Sequence, residues 1–185
     1  VPAAPAAPEG QLLISADHPM AALYMQTPMP PDLRGNRGAG VLIALLATAV
    51  FAVVYAGVLA LWLAPTTPPS QFVNRLLEFG LWPVIVASTA FFVGLVLVVL
   101  VVGRAGWWAY VLGGFLVAAL VWAAAVIGDT YALSRQAGGT GLGSMLGAGF
   151  DPLAWIGQSG LSIVAVAAAL VAREVTVWFG AWIGA

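Results

Sequence analysis

GVLIALLATAVFAVVYAGVLALWL, residues 40–63, runs for twenty-four residues without a charge. At 1.5 Å of rise per residue a helix of this length spans about 35 Å, enough to cross a hydrocarbon core of about 30 Å. Pro65, Pro68 and Pro69 follow it and end the helix, because each proline removes a backbone donor. The rest of the chain repeats the pattern. Apolar runs cover residues 79–102 and 107–127, and a fourth covers 153–177, interrupted only by Arg173-Glu174. The expected fold is an all-α integral membrane protein of four transmembrane helices, residues 39–185, preceded by an extended cytoplasmic arm, residues 1–38.

Composition agrees. Hydrophobic residues make up 62% of the chain and charged residues 7%, with a mean hydropathy of +1.02. A water-soluble domain carries roughly 25% charged residues, so most of this surface needs lipid as its solvent. The net charge of −1 offers no basic field for nucleic acid. Cysteine is absent, which removes disulfides, thiolate metal sites and cysteine nucleophiles from this chain. The single histidine, His18, cannot supply a bis-histidine haem.

Local signals place the helix ends. Ser70 is a candidate N-cap for the second helix, with Pro83 near the start of its apolar part, where a kink is tolerated. Residues 103–106 make a tight connection. Gly128-Asp129 reads as the end of the third helix, followed by a glycine-rich outer loop, 129–151, that should fold over the bundle or form a short helix around 142–146. Asp151-Pro152 is a helix start: an acidic N-cap, then proline at the first helical position. Arg34, Arg37, Arg104 and Arg173 fall on one side of these spans, and Arg75 and Arg135 on the other. The arginine-rich side is cytoplasmic by the positive-inside rule, which puts both termini inside. Trp62, Trp82, Trp122 and Trp155 then mark the outer interface, and Trp107, Trp108, Trp178 and Trp182 the inner one.

Candidate sites are few. Arg173-Glu174 reads either as an intramembrane ion pair that meets a partner, or as an interfacial pair. Counted from Pro152, Arg173 comes about 31 Å along and reaches the inner interface, which favours the interfacial reading. Arg75 and Glu78, three residues apart, form a second candidate interfacial pair. Glu78, Asp129 and Asp151 could load protons or bind a cation at the outer face, but capping helix ends explains them more simply. The loop GGTGLGSMLGAG lacks the lysine ending of a phosphate loop and follows no strand. Gly180 and Gly184, and Gly157 with Gly160, are small-residue faces where helices approach.

On the arm, Leu12, Leu13, Ile14, Met20, Leu23, Tyr24, Met25 and Met29 place apolar side chains on a segment with no core of its own. Pro19, Pro28, Pro30 and Pro31 prevent one continuous helix, so these residues are candidate partner contacts laid out along an extended chain. No mid-membrane acid, broken helix, catalytic set, cofactor site or metal site is expected.

The functional expectation is a non-catalytic accessory subunit of a larger membrane complex, with other membrane subunits and lipid as its partners. A small oligomeric transporter or channel is the alternative. In composition and span pattern the chain resembles small multi-pass proteins of high-GC Gram-positive bacteria, some of which accompany respiratory assemblies. The resemblance implies the bacterial plasma membrane, and a respiratory assembly, as the setting.

Overall fold

A computed structural model of the protein describes residues 37–102, 107–139 and 151–183. The arm with its eight apolar contact candidates, the connection 103–106 and the expected short helix at 142–146 lie outside the described residues. What is described is helical: α1, Arg37–Leu63; a 3-10 turn, Ala64–Thr66; α2, Phe72–Val102; α3, Trp107–Gln136; α4, Pro152–Ser159; and α5, Ile163–Ile183. Four stretches are long and apolar enough to cross a membrane: Gly38–Thr66, Phe72–Val102, Trp108–Gln136 and Ile163–Trp182. The protein therefore has the architecture of a multi-pass membrane protein.

The helices form an antiparallel ring. α1 packs on α2, α2 on α3, α3 on α5, and α5 closes the ring on α1, with α2 and α5 meeting only slightly across the diagonal. Side-chain pairings set the directions. Phe51 stacks on Phe91, and Trp62, further along α1, stacks on Phe79, earlier in α2. Gly94 faces Leu120, and Gly113 faces Val98. Tyr55 reaches Val164, and Gly114 faces Thr176. The end where α1 begins is the near end below; the other is the far end.

Lipid tails are as apolar as leucine, so close packing rather than escape from water holds such helices together. The core reflects this. Ala44, Ala47, Ala87, Ala125, Ala165, Ala168 and Ala172 are fully buried and let the backbones approach. Phe51, Tyr55, Phe91 and Tyr110 fill the remaining volume. At Gly128 and Gly180, among others, the approach leaves no room for a side chain. A Cβ on Gly128 would stand 2.8 Å from the Cα of Pro83, and one on Gly180 would stand 2.5 Å from the Cβ of Tyr110. Meanwhile leucine, valine and tryptophan side chains cover the outside, from Leu42 on α1 to Trp182 on α5.

Three boundaries and the place of one tryptophan differ from the sequence reading. α2 opens at Phe72, and the Arg75 N–H bonds the Gln71 carbonyl, so Gln71 rather than Ser70 holds the cap position. α3 does not stop at Gly128-Asp129 but continues to Gln136, because Gly128 serves contact with Pro83 and not termination. Trp122 falls at the middle of α3 rather than at an interface. The fourth span is two helices, broken at residues 160–162. The helix start at Asp151-Pro152 is as expected: the Asp151 carboxylate accepts the N–H groups of Leu153 and Ala154.

Candidate functional site

Two groups of polar side chains lie inside the spans. The first gathers at the break between α4 and α5. The Ser162 hydroxyl accepts the Ala165 N–H at 3.2 Å and so caps α5. Asp129 on α3 lies close to this hydroxyl. Asp129 is only 6% exposed, and its Oδ1 has no hydrogen-bond partner. Seven residues separate it from the end of α3, a depth of about 10 Å. Tyr55 on α1 lies within Coulombic reach and donates its hydroxyl to the Val164 carbonyl at 2.9 Å. This acid sits within a span beside a broken helix, whereas the sequence reading put it in a loop and expected neither feature.

Two tryptophans hold the break in place. Trp122 Nε1 donates to the Gly160 carbonyl at 2.8 Å. Trp155 Nε1 donates to Thr130 Oγ1 at 3.0 Å, and Thr130 in turn bonds the Val126 carbonyl. The break is thus pinned alongside the interior of α3. Such an arrangement can offer backbone carbonyls and an acid to a cation. Among the described residues, however, no three acidic or histidine side chains come together.

The second group is Arg173-Glu174. Because α5 begins at Ile163, the pair lies ten residues along it, at the middle of that helix. Glu174 lines a shallow apolar hollow of about 200 Å³ with Val50, Val175, Trp178 and Phe179. Val50 is the central residue of α1, whereas Phe115, which Arg173 overlies, is the ninth residue of α3, so the pair lies in the bundle between its middle and its near end. The two charged side chains are ion-paired with each other. The Arg173 guanidinium also lies over the Phe115 ring of α3, 5.0 Å from its centroid. Even so, the side chains remain 39% and 58% exposed, Arg173 on the side of α5 towards α3 and Glu174 on the side towards α1.

The remaining candidates stay apart. Arg75 and Glu78 are exposed in the first two turns of α2 at the far end, and the ion pair found among the described residues is Arg173–Glu174. The Glu78 backbone carbonyl accepts Gln136 Nε2 at 3.2 Å, which ties the ends of α2 and α3 together. Gly157 has open space around it, whereas Gly180 is consumed by Tyr110 inside the bundle. A larger apolar groove of about 420 Å³ runs between α2 and α3, lined by Gly94, Val98, Gly113 and Leu116 among others. No protein-family model, curated protein or solved structure matches the chain.

Proposed function

We propose that the chain is a non-catalytic subunit of a larger protein complex in the bacterial plasma membrane, with both termini cytoplasmic and its arm available to the same complex. A respiratory assembly is the setting its composition and span pattern imply. The observation that carries this reading is Glu174, more than half exposed within the fourth span, beside Val50 of α1. A charged side chain at the centre of a membrane helix costs about 2.5–3.5 kcal/mol on insertion scales. The adjacent arginine offsets part of that cost, but both side chains remain partly exposed. Another protein chain, covering the α1–α5 face, removes the charge from lipid. Tagged full-length protein, gently solubilised from its native membrane, should bring down chains of other sequences, and Glu174→Gln should reduce their yield. A wild-type protein that captures no other sequence contradicts the subunit role.

One observation favours a second reading, transport of a small cation. Asp129 pairs a buried, under-bonded carboxylate with a helix break, the combination from which transporters build midplane sites. Cation flux into proteoliposomes that is present for wild type and lost in Asp129→Asn would favour transport. Equal flux for both, or none, removes it.

A further inference from the structure

The charged pair also points to which chain covers it. We infer that a second copy of this protein docks on the α1–α5 face, each copy exchanging Arg173 and Glu174 with the other. The inference rests on the reading of this face as an assembly surface.

An occupant of the face has to satisfy a guanidinium and a carboxylate that are one residue apart within the span. A foreign helix would need an acid and a base at matching positions. A second copy has both by construction. In a two-fold dimer whose axis runs along the membrane normal, the same residues of the two copies sit at the same depth, and each surface meets itself. Arg173 of one copy then faces Glu174 of the other, giving two reciprocal pairs out of lipid. The surroundings suit this geometry. Leu170, Glu174, Trp178 and Trp182 recur every four residues on α5 and are all exposed, so they form one stripe along the helix. The hollow beside Glu174 leaves room on the α1 side for a partner's side chain. On the opposite side of the ring, the exposed charges of α2 and α3 fall at the far end, Arg75 and Glu78 in the first two turns of α2 and Arg135 in the last turn of α3.

Cysteine crosslinking tests this cleanly, because the chain has no cysteine of its own. Leu170→Cys places a thiol one turn from Glu174 on the stripe. Leu116→Cys, exposed on the α2–α3 side, is the control. In native membranes the first should form a disulfide-linked dimer and the second should not. Adding Glu174→Gln should lower the dimer yield roughly tenfold, from the worth of a polar contact between membrane helices. The double exchange Arg173→Glu with Glu174→Arg should return the yield to within about twofold of wild type, since the reciprocal pairs re-form with their signs reversed. Failure of Leu170→Cys to crosslink overturns the dimer, as does a double exchange that leaves the yield as low as Glu174→Gln does. If Glu174→Gln still releases chains of other sequences in those cases, the assembly reading survives without the dimer. If it changes neither the crosslink nor the captured chains, both fail. Matching size-exclusion profiles in detergent for all variants exclude misfolding as the cause.

Discussion

Asp129 was hidden by its neighbours. Gly128 before it reads as a helix terminator, and an acid after glycine reads as a cap. The periodicity nevertheless carried the signal: Val117, Val121 and Ala125 are buried at four-residue steps, and Asp129 is the next step, with buried Ala132 beyond it. The competing feature was the chemistry of glycine, used here for close approach to Pro83 rather than for a turn. Gly180 makes the same point. Substituting alanine there would drive a Cβ to 2.5 Å from that of Tyr110, a contact that rotation of the Tyr110 side chain cannot relieve. Gly180→Ala should lower stability by about 1–3 kcal/mol, measured as a shift in denaturation by sodium dodecyl sulfate. Gly157→Ala, made in open space, should change it by less than about 0.5 kcal/mol.

Among the elements, the ends of α1 and α2 at Leu63 and Val102 were legible, because each closes a long uncharged run, while the helices open before the apolar runs at 40 and 79, at Arg37 and Phe72. The fourth span was not. Its apolar run continues through residues 160–162, so hydropathy alone joins α4 to α5. The serine at position 162, just ahead of an apolar run, was the available N-cap signal. That break matters because it restarts the count along α5, which puts Arg173-Glu174 at the middle of that helix. The indole of Trp122 helps to hold it, so Trp122→Phe should loosen it. Losing a hydrogen bond worth about 0.6–1.5 kcal/mol should speed amide exchange around residues 160–163 roughly three- to tenfold, with little change in the middle of α1. Equal exchange in the two proteins would mean that packing, and not the indole bond, holds the break.

For the whole molecule, the up-and-down ring of four helices follows from the alternation of apolar runs and connections. The ring order and the outward faces do not follow from it. Nearly every side of these helices is apolar, so no hydrophobic stripe distinguishes the core from the lipid side. Small residues and aromatics make that distinction, and only three-dimensional packing reveals it. Orientation is still carried by arginine placement. Reporters fused after Ala64 and at Gly139 should therefore read external, and one after Gly103 internal; an external reading at Gly103 reverses the topology. The functional account turns on whether another chain covers the α1–α5 face. The most direct measurement is native mass spectrometry of the gently solubilised full-length protein, wild type beside Glu174→Gln. The account predicts wild-type species heavier than the 19.0 kDa of one chain, and a shift towards that single-chain mass in Glu174→Gln. A wild-type protein that travels alone at 19.0 kDa, correctly inserted and indistinguishable from Glu174→Gln, would contradict it.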